Sequence, residues 1–215
     1  MSNRLSCRLL LAAVLVAMAP TRASASSSLE TAIRSGEVAQ VRTALDRGAD
    51  PNDVFPIFGM SALILSAIHG REDMVDLLLD RGADPNWLHE RGNSALSAAV
   101  RSCASGWKVV ERLLAAGADI DNPSGGSLTP LMVSIQEERP SFFRNLLEHG
   151  ADINAVNTFG EGALNYAIYY GKSDYVTALL DLGVNTDPMR LLFTTSKKYH
   201  LNFGTARPHA VDCAE

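Results

Sequence analysis

A six-residue motif recurs along this chain at a nearly constant interval. Arg-Gly-Ala-Asp-Pro-Asn occupies 47–52 and 81–86, and related versions follow at 116–121, 149–154 and, in altered form, 182–186. The second residue of each copy is glycine, and successive glycines are 34, 35, 33 and 33 residues apart. A fixed period near 33 predicts a stacked array, in which each copy is one structural unit packed against its neighbours.

Each period predicts two short helices and a turn. Apolar residues at helical spacing precede every glycine, as in Met74, Val75, Leu77 and Leu78. Such a helix of about ten residues is too short to persist alone in water, so it must pack on neighbours. The glycine then ends it in the left-handed conformation that a side chain would resist.

A second, shorter helix is expected ahead of each of these, because the small alanines there let helices approach closely and the leucines fill the layer between repeats. In one copy Thr129-Pro130 supplies a capping hydroxyl followed by a proline at the first helical position. The segments predicted to form these helices are 61–69, 94–102, 129–137 and 162–170.

Together these residues resemble an ankyrin repeat. Thr129-Pro130-Leu131 is followed, 21 residues after the threonine, by Gly150-Ala151-Asp152-Ile153-Asn154. The resemblance covers roughly residues 28–186 and implies an all-α solenoid of stacked helix–turn–helix units with hairpin-like turns. One departure is that the family's histidine after the leucine is replaced, so its Thr–His side-chain hydrogen bond is not expected. The replacing residues are Ile64, Ser97, Met132 and Asn165.

The domain prediction has three parts: a signal peptide at 1–25, an ankyrin-repeat array at 26–186 and a C-terminal part at 187–215. Within the array, the copies are an N-terminal capping repeat at 28–52 and full repeats at about 57–86, 90–121, 125–154 and 157–186, the second of which carries two extra residues near 103–106. The C-terminal part is predicted to begin with a short helix that covers the apolar end of the stack, followed by an irregular tail beyond Thr194. The covering side chains are Met189, Leu191, Leu192 and Phe193.

The signal peptide is predicted from a basic start, a short apolar run and a small-residue cleavage motif. Arg4 and Arg8 precede the apolar run 9–19, and Ala23-Ser24-Ala25 offers the cleavage site. About 20 apolar residues are needed to cross a bilayer, so the alternative of an uncleaved anchor is less favoured. The alanine-rich composition favours a bacterial periplasm over an extracellular eukaryotic setting, and no membrane span is expected after signal removal.

Charge argues against nucleic acid as the partner. The chain has 19 basic and 24 acidic residues. Removal of 1–25 takes away three arginines and no acid, which leaves a net charge of −8. An acidic protein does not neutralise phosphates, so nucleic-acid binding is not expected.

Two cysteines, Cys103 and Cys213, follow the predicted signal peptide. An oxidising compartment permits a disulfide bond between them, which would tie the tail to the stack. The alternative is a buried thiol at Cys103 and an irregular tail around Cys213.

The pattern does not favour catalysis, a metal or a cofactor. The sequence has no Gly-x-Ser-x-Gly, phosphate-binding glycine loop or His-Glu-x-x-His motif. A metal site from His200, His209 and Cys213 is a weak alternative. The recurring aspartates at 50, 84, 119 and 152 are better explained by bonds to turn amides than by calcium. We therefore expect a non-enzymatic protein that binds no cofactor.

In ankyrin-like stacks the hairpin-like turns and the exposed side of the following short helix form a concave ledge that binds partners. The ledge expected here contains aromatic residues where a merely soluble array would carry polar ones. An alternative for Phe58 and Trp87 is that they fold over to seal adjacent turns. The residues predicted to bind a partner are Phe58, Met60, Ile68, His69, Trp87, Glu90, Arg91, Arg101, Phe159, Glu161, Tyr169 and Tyr170.

The function favoured by these patterns is that of a monomeric periplasmic module that holds another protein on its concave face. A sharper version, by analogy, is an immunity protein that blocks a secreted toxin or lipase. The alternatives are an accessory factor in periplasmic oxidative-stress defence and a general scaffold. The sequence alone does not identify the partner.

Overall fold

A computed structural model describes residues 22–55, 59–89, 93–122, 128–157 and 159–186, with side chains from residue 27 onward. Ten helices lie in these ranges and form five consecutive pairs, which confirms the all-α solenoid. In each pair the first helix packs against the first helices of the neighbouring pairs. The helices are α1 (Arg22–Ser35), α2 (Val38–Asp46), α3 (Ala62–Ile68), α4 (Glu72–Asp80), α5 (Ala95–Arg101), α6 (Trp107–Ala115), α7 (Pro130–Gln136), α8 (Pro140–Glu148), α9 (Ala163–Tyr169) and α10 (Ser173–Asp181).

We call α1, α3, α5, α7 and α9 the inner helices and the others the outer helices. Three inner helices, α3, α5 and α7, are seven residues long and are buried along most of their length: in α7, every residue from Pro130 to Ile135 is buried. Their leucines, alanines and other apolar residues join the apolar faces of the outer helices in one continuous core cluster. A seven-residue helix has little stability of its own, so this burial against neighbouring repeats is what stabilises it.

Hydroxyl side chains begin three of the inner helices. The Ser61 hydroxyl accepts a hydrogen bond from the Ile64 amide, and Thr129 accepts one from Met132, each at 3.3 Å. Ser94 makes the same cap for α5. The predicted threonine cap with proline at the first helical position is therefore confirmed, since Pro130 opens α7.

The outer helices end as the sequence predicts. The glycine after each of them is left-handed, with φ of 92° at Gly48, 88° at Gly82, 89° at Gly117, 91° at Gly150 and 77° at Gly183. The amide three residues beyond the helix, for example that of Ala151, returns to a carbonyl inside the last turn, Leu146 O, at 3.0 Å. This closing bond satisfies carbonyls that the helix end would otherwise leave without a partner.

Hairpin-like turns connect the repeats. Strands β1 (Val54–Phe55) and β2 (Met60–Ser61) pair antiparallel, and a single bridge joins Val156 to Gly162 in the last repeat. These turns place the residues before α3 and α9 at one edge of the stack.

The N-terminal repeat is more complete than the predicted segment 28–52 suggests. Helix α1 spans Arg22–Ser35 and packs with α2 as a full helix pair. The predicted cleavage point after Ala25 falls inside α1. No helix among the described residues is long and apolar enough to cross a membrane. The predicted signal-peptide core 9–19 and the predicted covering helix that starts after Asp187 lie outside the described residues.

A row of asparagine and aspartate side chains connects successive repeats along the edge where the outer helices end. The Asn52 side chain donates to Gly82 O at 3.0 Å and accepts from the Asp84 amide at 2.7 Å. Asn86 repeats both bonds one unit later, to Gly117 O at 2.9 Å and from the Asp119 amide at 2.8 Å. These paired bonds fix the spacing between repeats, because each side chain satisfies two backbone groups of the next unit.

The recurring aspartates bond to turn amides, as the sequence predicts. The amide two residues after each one donates to its Oδ1, at 2.9 Å for Asp50 and Asp84, 3.0 Å for Asp119 and 2.8 Å for Asp152. These local bonds hold the turn that follows each left-handed glycine.

The two extra residues of the second full repeat lengthen the loop between α5 and α6. This loop lies against the preceding repeat: a Cβ added at Gly70, whose φ is +63°, would be 2.0 Å from Ala104 O. The Ser102 hydroxyl also donates to Ile68 O. Position 70 therefore admits glycine alone, both for its backbone conformation and for the close approach of the loop.

Candidate partner-binding surface

Nine of the twelve residues predicted to form the partner-binding ledge lie among the described residues. We call the eight of them that are at least partly exposed the ledge: Met60, Ile68, His69, Trp87, Arg101, Phe159, Tyr169 and Tyr170. Phe58, Glu90 and Arg91 lie outside the described residues. Met60 lies in strand β2 of a hairpin-like turn, and the other ledge residues lie in turns or near the C-terminal end of an inner helix.

The N-terminal part of the ledge is apolar and half-buried. Met60, Ile68 and Trp87 each pack against the core cluster with part of the side chain still exposed. Because Trp87 packs against the core cluster, its position agrees in part with the alternative that this ring folds over to seal the adjacent turn. These side chains therefore have limited freedom, which lowers the entropy lost when a partner covers them.

The centre of the ledge carries an ion pair between two repeats. Arg101 Nε lies 3.4 Å from Glu137 Oε1, and Arg101 Nη1 donates to Asn93 Oδ1 at 3.3 Å. Both side chains of the ion pair are partly exposed. Its net contribution to stability is small at such a site, but it fixes the orientation of the guanidinium on the surface.

The C-terminal part of the ledge is aromatic. The Tyr169 and Tyr170 rings meet edge to face at 4.8 Å between centroids, and Tyr170 lies 6.2 Å from Tyr166. Tyr169 is 56% exposed and Phe159 is 63% exposed, whereas Tyr170 is half-buried. Tyr170 therefore has a packing role as well, and the most open rings are Phe159 and Tyr169.

Electrostatics links the aromatic part to the ion pair. Burial raises the pKa of Tyr170, and the phenol of Tyr169 and the carboxylate of Glu137 raise it further, while Arg101 opposes them. Tyr170 therefore stays a neutral phenol at physiological pH and offers an O–H group to a partner. The arrangement presents aromatic area and polar groups side by side, which is typical of protein-binding surfaces.

The structure differs from the sequence prediction at Glu161. The sequence predicts this residue on the open ledge, but it is only 5% exposed. Its Oε2 accepts from Asn157 Nδ2 at 2.8 Å and from the Tyr166 hydroxyl at 3.3 Å. A carboxylate that is buried away from water needs such hydrogen-bond donors. Glu161 therefore stabilises the turn from inside the protein.

The same cluster positions Phe159. Asn157 Oδ1 accepts from the amides of Phe159 at 2.8 Å and Glu161 at 2.9 Å, so one side chain holds both sides of the turn. Burial is the main cause that raises the pKa of Tyr166 well above its usual value, and the negative charge of Glu161 raises it further. Tyr166 therefore remains a hydrogen-bond donor to Glu161, and Phe159 projects from a fixed backbone.

Arg139 is a structural residue that belongs to none of the sequence motifs described above. It is buried, and its Nη1 donates to Val100 O at 3.2 Å and Ser102 O at 2.5 Å, while Nη2 donates to Ser105 O at 3.3 Å. The guanidinium also lies 3.8 Å from the centroid of the Phe142 ring. One side chain thus anchors the end of α5 and the lengthened loop after it.

The sequence contains a signal for Arg139. Arg71 and Lys172 occupy the same position, the residue before an outer helix, and both reach the preceding repeat. The Arg71 guanidinium covers Gly36, since a Cβ there would be 1.5 Å from Arg71 Nη1. Lys172 pairs with Glu138. A basic residue therefore occupies this position in three of the five described helix pairs, and Glu37 and Gly106 occupy it in the other two.

Cys103 lies in the loop that Arg139 anchors and is disulfide-bonded. The two other cysteines of the chain, Cys7 and Cys213, lie outside the described residues, so the pairing with Cys213 stays a prediction. Within the described residues, no group of three or more His, Cys, Asp or Glu side chains is arranged to hold a metal ion.

Comparison with known proteins decides the family. The family model for ankyrin repeats (3 copies) matches residues 29–124 and 101–190, which is most of the chain. This chain belongs to the ankyrin-repeat family. Stacks of these repeats are typically interaction modules without enzymatic activity, so the fold indicates a protein that binds other proteins.

Curated relatives match through a small part of their own length. Neurogenic locus notch homolog protein 1 of Mus musculus is 34% identical over 130 residues, which are 60% of this ankyrin-repeat chain and 5% of the notch protein. The Homo sapiens protein is 32% identical over 130 residues, which are again 60% of this chain and 5% of the notch protein. Phosphocholine transferase AnkX of Legionella pneumophila is 27% identical over 165 residues, 76% of this chain and 16% of AnkX. The phosphocholine transferase activity in that name belongs to AnkX.

Proposed function

We propose that this ankyrin-repeat protein is exported to the periplasm and holds a partner protein against the ledge. The observation that carries the proposal is the pair of open rings, Phe159 and Tyr169, in the same repeat. Aromatic side chains contribute much of the binding energy at protein interfaces, on the order of 2 kcal/mol or more at a hot spot. The neighbouring Arg101–Glu137 ion pair adds oriented charge for specificity.

The finer proposal is that the partner is a secreted toxin or lipase and that the protein acts as its immunity protein. Blocking an enzyme by covering its active site requires only a complementary surface, and a rigid stack of repeats provides one. The predicted signal peptide supports export to the compartment where such an effector acts. The acidic net charge favours a partner with a basic surface.

The binding surface is tested by Phe159→Ala combined with Tyr169→Ala. Because both rings are mostly exposed, we expect the affinity for the partner to fall at least tenfold, about 1.4 kcal/mol, with little change in unfolding temperature. The partner is first isolated by affinity purification of the mature protein from envelope extract, and binding is then measured by calorimetry with the purified pair. Leu182→Ala is the matched control, since this exposed apolar side chain lies off the ledge.

A second matched pair tests the charged centre of the ledge. Arg101 Nε lies 3.4 Å from a carboxylate oxygen of Glu137 in the following repeat. Arg112 Nε lies at the same distance from a carboxylate oxygen of Asp76 in the preceding repeat, but this pair joins two outer helices. Arg101→Ala should weaken partner binding and Arg112→Ala should not. Equal affinities for the wild type, Arg101→Ala and the aromatic double variant would reject the ledge as the binding surface.

Export and immunity are tested separately. Alkaline phosphatase fused after residue 30 should be active in cells, whereas a fusion that lacks residues 1–25 should not be. For immunity, cells that make a periplasmic effector encoded by a neighbouring gene should survive only when they also make the exported protein. Survival with the form lacking 1–25, or no protection by either form, would contradict this role.

A further inference from the structure

The last described repeat ends in an apolar surface that the stack itself does not cover. Its side chains are Ile168 of α9 and Val176 and Leu180 of α10, which we call the end face. One period earlier, Ile168 corresponds to Ile135, which is fully buried, yet Ile168 is 49% exposed. Val176 corresponds to Phe143, which is also buried, and is itself only partly buried. The difference arises because among the described residues no helix or strand follows α10.

A sixth ankyrin repeat does not fit the sequence beyond this point. The core positions Ala163, Leu164 and Ala167 of the last inner helix fall, one 33-residue period later, on Ser196, Lys197 and His200. Three polar or charged residues at these positions would have to be buried at a large desolvation cost. The repeat pattern therefore ends, and the end face needs another cover, since the terminal units of a repeat stack must shield their apolar sides.

We infer that Met189, Leu191, Leu192 and Phe193 of this same chain seat on the end face. These four apolar side chains occur within five residues, beginning three residues after Thr186. Three residues span about 10 Å at full extension, which is about the diameter of one helix, so the segment reaches the face directly. The inference concerns the stack itself and does not depend on the proposed partner.

The chain's own segment is favoured over a second copy of the protein. A short tether gives the segment an effective concentration in the millimolar range at the face, far above that of another molecule in solution. Two copies each carry a net charge of −5, so their approach is also opposed electrostatically.

The experiment uses full-length variants under reducing conditions, so that the disulfide bond of Cys103 does not contribute. Leu192→Ser with Phe193→Ser should lower the unfolding temperature by about 4 °C or more, as expected for lost apolar burial in a domain of this size. Tyr199→Ser, a polar replacement of a ring outside the segment, is the control and should change it by no more than about 1 °C. An equal response of the two variants would overturn the inference.

The end face is tested from the other side by Ile168→Ser. A covered face predicts a lower unfolding temperature, whereas an open face predicts no loss or a gain. In the triple variant with Leu192→Ser and Phe193→Ser, the two effects should be less than additive, because they remove the same contact. Full additivity would contradict the contact. An unfolding temperature and sedimentation coefficient that rise with protein concentration would instead assign the face to a second copy.

Discussion

The amide of Asp152 donates to both carboxylate oxygens of Asp121, at 3.0 Å from Oδ1 and 3.1 Å from Oδ2. Asn52 and Asn86 occupy the same position in the two preceding repeats, where the side chain also donates to the glycine carbonyl of the next repeat. A carboxylate has no N–H group, so Asp121 cannot donate to Gly150 O in this way. The connection between these two repeats is therefore chemically weaker than the two before it.

The first prediction is that Asp121→Asn stabilises the protein. The amide restores a donor for Gly150 O and removes a negative charge that lies near Asp119 and Asp152. A partly exposed hydrogen bond of this kind contributes about 0.5–1.5 kcal/mol to the free energy of unfolding. Urea denaturation at neutral pH measures the change. The reciprocal variant Asn86→Asp is the control and should destabilise by a similar amount, and two changes of the same sign would reject the explanation.

The second prediction concerns pH. Burial raises the pKa of Asp121, the charges of Asp152 and Asp119 add to this, and the bond from the Asp152 amide opposes it. Because the pKa in the folded state lies above its value in the unfolded chain, the folded state binds the proton more tightly, and ionisation of Asp121 costs stability above its folded-state pKa. That cost disappears as the pH falls through this pKa toward the unfolded value. The advantage of Asp121→Asn over the wild type should therefore shrink on acidification, and an advantage that grows would contradict the assignment.

The third prediction is that Arg139→Ala destabilises the protein by about 2–4 kcal/mol, because it leaves buried carbonyls of Val100 and Ser105 without their charged donor. Thermal and urea unfolding measure the loss. Arg144→Ala is the control: this neighbouring arginine is exposed, so its removal should change stability by no more than about 0.5 kcal/mol. Arg139→Lys should recover only part of the loss, since an ammonium does not span three carbonyls as a guanidinium does.

Sequence periodicity predicts the fold well because the same local features, helix caps, left-handed glycines and apolar helix faces, recur in successive repeats. The left-handed glycines, the Thr129 cap and the apolar face of each outer helix are decided within a few residues, and the structure confirms them. The hydrogen bonds of Asn86 to the next repeat join residues that are 31 and 33 positions apart in the sequence, and no sequence motif predicts them. They are recognisable only after one repeat is laid on the next.

The surface is less predictable than the stack for a physical reason. A repeat position fixes where a side chain starts, but its neighbours decide whether it stays exposed. Glu161 begins at a ledge position and turns inward because Asn157 and Tyr166 offer donors there. Tyr170 is half-buried for a similar reason, since it packs on Tyr166 and Tyr169. Such choices depend on contacts between several residues, which a single sequence does not specify.

The last prediction is that Cys103 pairs with Cys213. Cys103 is disulfide-bonded in the lengthened loop that Arg139 anchors, and cleavage of the predicted signal peptide would remove Cys7. Peptide mapping of the exported protein without reduction should yield one linked peptide pair that contains residues 103 and 213, and reduction should separate it. Cys213→Ser should leave Cys103 open to alkylation, and a disulfide that closes so long a loop stabilises by about 2–4 kcal/mol, so the variant should also unfold at a lower temperature. Recovery of Cys103 as a free thiol from the wild type, or in a linked pair with Cys7, would show that the C-terminal tail is not tied to the stack in this way.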